Sequence, residues 1–388
     1  MLIGIIGAPN KGKSTLFSAL TMAAAEIGDY PFTTIKPNHG VAYVSRECAE
    51  RGLKVKCNPK NGVCKEGIRF IPIQVVDVAG LVPGAHLGKG MGNQFLNDAI
   101  CADVLIQVVD LSGKTDVNGN SAENSNPAED VKMIEEELSH WLFGIIKKHI
   151  SGISKRKDGA EALHEILAGL RISERQIEDA IGRCSLTSSN ISWADPDISS
   201  FALALIKISK PIVIAANKED AAGSGAIERL KDSLPNHTVI GCAAAIELAL
   251  RKAEKAGVVD YNPGARSFTI KGEATPEQKK ALDYMKSFVE KRGTGVQEIL
   301  NSVVFGVLKM MVVYPVEDEN KYTDHFGKVL PDALLIENGK SAHDLAAMIH
   351  SDLAKNMLYA VDARKKLRIN KEQPLKDNDV VKIVSAAR

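Results

Sequence analysis

The 388 residues are 45% hydrophobic and 25% charged, which predicts two or three globular domains and excludes a disordered or fibrous chain. Lys and Arg total 49 against 48 Asp and Glu; a formal net charge of +1 excludes capture of nucleic acid by a whole-chain field and leaves only local basic patches. No apolar run reaches the roughly 18 residues of a membrane-spanning helix, no charged leader precedes the apolar Met1–Ile6, and six cysteines are too sparse for a disulfide scaffold. A cytoplasmic protein without membrane contact is expected.

In chain order, LIGIIG is a buried first strand and LFSALTMAAA a helix. Between them stands Gly7-Ala8-Pro9-Asn10-Lys11-Gly12-Lys13-Ser14-Thr15, a complete GxxxxGK[ST] loop. Its glycines let successive backbone N–H groups curl around an anion at a helix N-terminus, where unpaired donors already favour negative charge. Lys13 is expected to reach the outer phosphates of a nucleotide, and Ser14 to hold Mg2+. Such a loop does not separate kinases, ATPases and GTPases. The next segment, Asp29 to Asn38, reads DYPFTTIKPN; Pro31 and Pro37 exclude a helix there and leave a loop rich in hydroxyls. Ser45 to Gly67 then holds Cys48, Cys57 and Cys64, with Pro59 and Asn61-Gly62 in a turn. These spacings form no paired-cysteine knuckle, and a metal would need a fourth ligand such as His39, so a loop or hairpin with ordinary thiols is expected.

The strand FIPIQVVDVAG ends in Asp77-Val78-Ala79-Gly80, a carboxylate placed to act on Mg2+ through water and a glycine whose amide can meet a γ-phosphate. Gly80, Gly84, Gly88, Gly90 and Gly92 permit alternative backbone conformations in the loop that follows, where His86 is the one imidazole. From the strand ending at Asp110 to the strand near Pro211 lie 100 residues, several times the length of a crossover helix. After a polar loop, Val131, Ile134, Leu138, Trp141, Leu142, Ile145 and Ile146 trace one helical face. A second helical stretch, Gly159 to Cys184, breaks near Ile172-Ser173, giving a helical hairpin or small bundle standing off the sheet.

Farther on, KPIVIAANKED puts Asn217, Lys218 and Asp220 just beyond an apolar strand. Guanine presents N1–H and N2–H2 donors side by side, which one carboxylate accepts together, whereas adenine offers an acceptor at N1. Asp220 is therefore read as the guanine acceptor, with GTP preferred to ATP. Cys242-Ala243-Ala244 follows another strand, where a backbone amide can meet the guanine carbonyl. From Lys309 the pattern reads β, β, α, β, β, with Ser341 and Asp344 as a capping box for the helix. From Gly339 onward ten Lys or Arg stand against six Asp or Glu, including Arg364-Lys365-Lys366 and Arg368, a local basic excess suited to RNA.

Taken together, GAPNKGKST, DYPFTTIKPN, DVAGLVPGAHLGKGMGNQFL, NKED and the last 80 or so residues resemble the Obg-related GTPases, within them the YchF-like proteins with a helical insertion and a C-terminal TGS domain. The resemblance covers nearly the whole chain. It implies an α/β fold: a P-loop NTPase G domain over 1–120 and 196–308, with a mostly parallel sheet and helices on both faces. It further implies an inserted helical domain over 121–195 and a ubiquitin-like β-grasp TGS domain over 309–388. The implied activity is hydrolysis of GTP to GDP and phosphate as a switch, with Mg2+ held by Ser14, Thr34 and Asp77. Lys13, Thr34, Gly80 and His86 are the expected catalytic group; for His86 two readings stand, an imidazole that approaches the attacking water and an exposed loop histidine, the latter favoured. The implied partner is the ribosome or RNA, met through the TGS domain and the insertion, and a monomer is the expected state.

Leu81 stands where many Ras-like GTPases carry the glutamine that orients water, so hydrolysis must rely on a backbone amide, a monovalent cation, a partner or another side chain. Asn10 occupies the position at which related GTPases bind K+. Lys11 departs from the usual valine and either adds charge at the loop or points to solvent. Two other readings stand beside the first: an ATP-hydrolysing regulator, as in ATP-preferring relatives with a degenerate fourth box, and an RNA-binding adaptor with a vestigial nucleotide site. The intact Asn217, Lys218 and Asp220 oppose the former.

Overall fold

A computed structural model of the chain describes residues 1–22, 38–78, 80–87, 99–189, 191–272 and 275–386. Strand β1 (Leu2–Ile6) feeds the glycine loop and α1 (Lys13–Thr21). There follow β2 (His39–Glu47), a short α2 (Glu50–Leu53), β3 (Val63–Lys65), β4 (Ile68–Asp77) and β5 (Val104–Asp110). A run of helices comes next: α3 (Pro127–Ile153), α4 (Gly159–Leu167), α5 (Glu174–Arg183) and α6 (Asp195–Ser209). Then come β6 (Ile212–Asn217), α7 (Ala226–Ser233), β7 (Thr238–Gly241), α8 (Ala244–Lys255), β8 (Val259–Asp260) paired with β9 (Thr269–Ile270), α9 (Pro276–Arg292) and α10 (Val296–Asn301). No helix among the described residues is long and apolar enough to cross a membrane.

The large sheet has the order β2-β4-β1-β5-β6-β7, with β3 on β4. Strands β4, β1, β5, β6 and β7 pair in parallel. Parallel strands are covered on both faces and so read as continuous apolar runs; every residue of β5 is buried. The register sets Ile5 opposite Asp77 and Asp110 opposite Asn217. The carboxyl ends of these strands thus meet at one edge, where open α/β sheets bind ligands.

The chain forms two compact units. One takes in Met1–Leu20 and Gln74–Ile299, the other Val41–Ile73 and Leu300–Arg388. In the first, α3 starts at Asn126, whose side chain accepts the Ala128 N–H at 3.1 Å, with Pro127 in the first turn. The predicted break between helices is Ser173, which caps α5 reciprocally with Gln176. Val131, Ile134, Leu138, Leu142 and Ile146 are buried. The bundle does not stand off the sheet, as the sequence suggested. Ile134, Leu138, Leu142, Leu163, Ile177 and Phe201 share one continuous apolar cluster with Ile6, Val76, Val78 and Leu105. A helical face this wide and apolar finds its cover on the sheet itself.

In the second unit, β10 (Met310–Val316) pairs antiparallel with β11 (Leu334–Glu337) and parallel with β14 (Asp379–Ser385). Strand β14 pairs with β12 (Met357–Asp362), and β12 with β13 (Leu367–Ile369), a strand the sequence reading did not separate. Helix α11 (Ala342–Ile349), capped by Ser341 and Asp344, packs Leu345 and Ala346 against Met311, Val313, Ile336, Ala360 and Val381. A shorter α12 (Ser351–Lys355) follows it. Strands around one helix make the expected β-grasp. Residues 41–73, expected within the nucleotide domain, belong to this second unit instead. The reason is polar as well as apolar: the fully buried Arg69 donates to the carbonyls of Leu330 at 3.1 Å and Pro331 at 2.9 Å, and Asn61 donates to Asp332 at 2.7 Å.

Candidate functional site

The loop after β1 is shaped by its glycines. Gly7 has φ 147° and a Cβ there would lie 2.5 Å from the Val108 carbonyl oxygen; Gly12 has φ 93° and its Cβ would meet Asn217 Nδ2 at 2.3 Å. Neither position admits a side chain. Lys13 is buried, and its ammonium donates to the Ala8 carbonyl at 3.0 Å. Burial pulls its pKa below the ordinary range, with the Asp77 charge acting in the opposite sense. Ser14 Oγ donates to Asp77 Oδ2 at 3.0 Å, while Asp77 Oδ1 is a buried atom without a hydrogen-bond partner among the described residues. Burial raises the Asp77 pKa against the Ser14 hydrogen bond and the Lys13 charge. A half-buried carboxylate whose Oδ1 has no partner among the described residues, next to a hydroxyl, is a donor set suited to a hard divalent cation. Gly80 faces the same place: a Cβ on it would stand 3.2 Å from Lys13 Nζ.

Asn217, at the end of β6, joins two loops. Its Nδ2 donates to the Lys11 carbonyl at 3.0 Å and its Oδ1 accepts the Ala244 N–H at 3.1 Å. Lys218, in the left-handed region at φ 62°, reaches back to the Asn10 carbonyl at 3.0 Å and to Asp110 Oδ2 at 2.8 Å. Asp220 lies in the turn Glu219–Ala221, where Tyr284 Oη donates to its backbone carbonyl at 3.3 Å. Among the described residues its carboxylate has no hydrogen-bond or ion-pair partner.

The amides of the next box are already committed. Cys242 N–H donates to Ala216 O at 2.8 Å, Ala243 N–H to Thr294 O at 2.9 Å and Ala244 N–H to Asn217 Oδ1. They fix the loop, and the opening turn of α8 from Ala245 carries the next amides.

Lys11 also departs from expectation. Its side chain neither adds charge at the anion loop nor points to solvent; it is fully buried, pairs with Asp130 at 2.8 Å and donates to Thr115 O at 2.9 Å. Burial lifts the Asp130 pKa to about 6 against that pairing. Asn10, at φ 62°, donates from Nδ2 to Gly119 O at 2.9 Å. The segment after β5 thus braces the anion loop, a role that sequence reading missed. Its anchor is Asp110, which accepts from Ser112 Oγ at 2.6 Å, Thr115 Oγ1 at 2.8 Å and Lys218. Burial works against the Asp110 charge, but those bonds hold its pKa below the usual range. A strand-ending Asp followed by Ser and Thr was the available signal.

Leu81 is 1% exposed and turned into the apolar cluster, while its N–H donates to Gly7 O at 3.2 Å. His86 is not an exposed loop residue: Nδ1 lies 2.7 Å from Glu137 Oε2, and the ring packs on His140 at 4.8 Å between centroids. Glu137 on α3 was not singled out in the sequence. Thr34, and Gly88, Gly90 and Gly92, lie outside the described residues.

Residues 2–150 match the family described as 50S ribosome-binding GTPase. Residues 215–318 match the Obg-like GTPase YGR210-like, G4 motif-containing domain, and residues 327–385 the TGS domain. A GTP-binding protein of Methanocaldococcus jannaschii is 48% identical over 393 residues, covering 100% of both chains. A ribosome-binding ATPase YchF of Mycoplasma genitalium is 32% identical over 223 residues, 55% of each chain. The crystal structure of a GTP binding protein from Pyrococcus horikoshii superposes with a TM-score of 0.81 at 37% identity, over 100% of both chains.

Proposed function

We propose that this chain, which belongs to the Obg-related GTP-binding proteins of the YchF-like group, hydrolyses GTP to GDP and phosphate as a switch acting on RNA or the ribosome. The observation that carries the nucleotide reading is Asn217, whose side chain bonds both the Lys11 carbonyl of the anion loop and the Ala244 amide beside the base-reading turn. In this reading base and phosphate recognition share one edge of the sheet, joined through Asn217.

In this reading Gly7 to Thr15 cradle the phosphates, and Lys13 neutralises the outer ones. Ser14, Thr34 and Asp77 hold Mg2+, for which the unpartnered Asp77 Oδ1 is the fitting feature. When bound, Mg2+ supplies positive charge against the phosphate oxygens. Asp220 accepts both guanine donors; with the three amides at Cys242 to Ala244 committed elsewhere, discrimination against ATP falls chiefly on that carboxylate. Gly80 meets the γ-phosphate, and Thr34 joins it. His86 takes the place of the missing glutamine: the Glu137 carboxylate accepts from Nδ1–H, which leaves Nε2 as an acceptor for the proton of the attacking water. K+ is read at Asn10, whose amide oxygen remains once Nδ2 has donated to Gly119.

The partner reading rests on the TGS match, on the ribosome-binding name of a relative and on the basic turn between β12 and β13. On the flanking strands Arg368 stacks on Tyr359 at 3.8 Å, and among the described residues only Lys365 of the run pairs with a carboxylate, Asp362 at 3.2 Å. Phosphate release from GTP and ATP is the test. The purified chain with Mg2+ is expected to release phosphate faster from GTP and to stop in EDTA. Equal rates refute the guanine preference, faster release from ATP favours the ATP reading, and no release under any condition, ribosomes and K+ included, favours the adaptor. Equal GTP turnover in K+ and Na+ removes K+ from the account.

A further inference from the structure

The segment between β2 and β4, expected to be a hairpin with ordinary thiols, gathers its three cysteines around a carboxylate. Cys48 follows β2, Glu50 opens α2, Cys57 lies in the following loop and Cys64 in β3. One donor atom from each lies within 4.8 Å of all the others. Cys48, Glu50 and Cys57 are buried at 2%, 6% and 8% exposure. The fourth donor is Glu50, not the His39 that the sequence suggested.

We propose that Cys48, Glu50, Cys57 and Cys64 form a site for one divalent transition-metal ion of the zinc type, stapling residues 48–64. The separations fit tetrahedral coordination better than a disulfide. Zn–S bonds of about 2.3 Å put two sulfurs about 3.8 Å apart, and a sulfur and a carboxylate oxygen about 3.6 Å apart. Cys48 and Cys57 Sγ stand at 3.9 Å, and Cys64 Sγ stands 3.5 Å from Glu50 Oε1. A disulfide requires about 2.05 Å. The longest donor separation needs to close by no more than about 1 Å.

The surroundings are those of a supported ligand set. Glu50 Oε2 accepts the Cys57 N–H at 2.8 Å, which turns Oε1 toward Cys64. The buried Tyr314 hydroxyl stands beside Cys48, where it can donate to a ligating sulfur. Thiolates select zinc and its soft relatives over Mg2+ and Ca2+. Binding forms three metal–sulfur bonds and one metal–oxygen bond, releases three thiol protons and moves no electron. The gain is structural: between Cys48 and Val63 the regular backbone is limited to the single short turn of α2, and a metal clip supplies the order that so small a segment lacks.

The test uses the full chain, reduced, loaded with Zn2+ or Co2+ and freed of excess ion by gel filtration. One ion per chain is expected by mass spectrometry of the metal, with thiolate-to-cobalt charge transfer and tetrahedral visible bands in the Co2+ form. Cys57→Ser and Cys64→Ser each weaken Co2+ binding about 100-fold, and Glu50→Gln weakens it about tenfold while keeping the charge-transfer band. Cys101→Ser, outside the cluster, changes nothing. Should a serine variant fail to fold, Glu50→Gln and chelator-dependent reactivity of the wild-type thiols carry the test. Three results overturn the proposal: no uptake by the reduced wild-type chain, uptake unchanged in the folded variants, or an intact mass short of two hydrogens that reductant restores while no metal binds.

Discussion

His86 Nδ1 stands 2.7 Å from Glu137 Oε2, and the same carboxylate accepts the backbone N–H of His86 at 3.0 Å and of Gly84 at 2.6 Å. One acid of α3 therefore holds the turn that follows Gly80. Burial works against its charge, but the bonds from Gly84 and His86 hold the pKa below the ordinary glutamate range. Glu137→Gln keeps the shape and loses the charge. We expect kcat for GTP to fall about tenfold, about 1.4 kcal/mol, with KM nearly unchanged; an unchanged kcat in steady-state assays rejects the positioning role. Because the folded-state pKa is depressed, this stabilisation is present above the ordinary range near pH ~4.3 and is lost as pH falls through the lowered value.

Lys11 and Asp130, each 1% exposed, are a buried ion pair. Lys11→Met leaves a carboxylate buried without its counter-charge and is expected to cost about 3–5 kcal/mol in denaturant unfolding, most of it recovered in Lys11→Met/Asp130→Leu. The Asp130 pKa is raised to about 6. The unfolded chain ionises first, so Asp130 makes stability fall as pH rises from about 4 to about 6. A double variant no easier to recover than the single one contradicts the pairing.

Under the proposed Mg2+ role, Asp77 is expected to separate function from stability. Burial raises its pKa, so its ionised form weighs against folding at neutral pH. Asp77→Asn is expected to raise the melting temperature while lowering Mg2+-dependent turnover about 100-fold, with GDP binding in EDTA unchanged. Loss of stability together with activity would point to a purely structural carboxylate.

Arg69 donates to the Leu330, Pro331 and Asn61 carbonyls from a fully buried position. Arg69→Met strands those acceptors and is expected to destabilise the second unit by about 3 kcal/mol. Arg69→Lys should fall short of wild type as well, because one ammonium nitrogen cannot stand in both places from which the two terminal guanidinium nitrogens donate. A change below about 0.5 kcal/mol in the unfolding of the full chain, the size of an ordinary surface substitution, contradicts this.

The anion loop and the Asn217 to Asp220 turn were legible because each is a local pattern: an apolar parallel strand, a short loop and a helix or turn within a dozen residues. The helical face from Val131 to Ile146 was legible by periodicity. What sequence could not show were polar partners distant along the chain. Lys218 and Asp110 are 108 positions apart, and Lys11 reaches Thr115 across 104; spacing carries no information about such pairs. The Cys48, Glu50, Cys57 and Cys64 cluster escaped for a related reason, since irregular backbone with left-handed Lys54 at φ 55°, Gly62 at φ 74° and Glu66 at φ 52° folds the donors together without a repeating spacing.

The most direct measurement concerns the Asp220 side chain. Competition binding of GTP, ATP and xanthosine triphosphate to wild-type chain and Asp220→Asn should show wild type preferring GTP. The variant presents one donor and one acceptor where the carboxylate presented two acceptors, so it should lose GTP about 100-fold and gain the xanthine nucleotide, whose C2 bears an oxygen. Wild type holding ATP as tightly as GTP, or a folded variant keeping full GTP affinity, would contradict the guanine assignment.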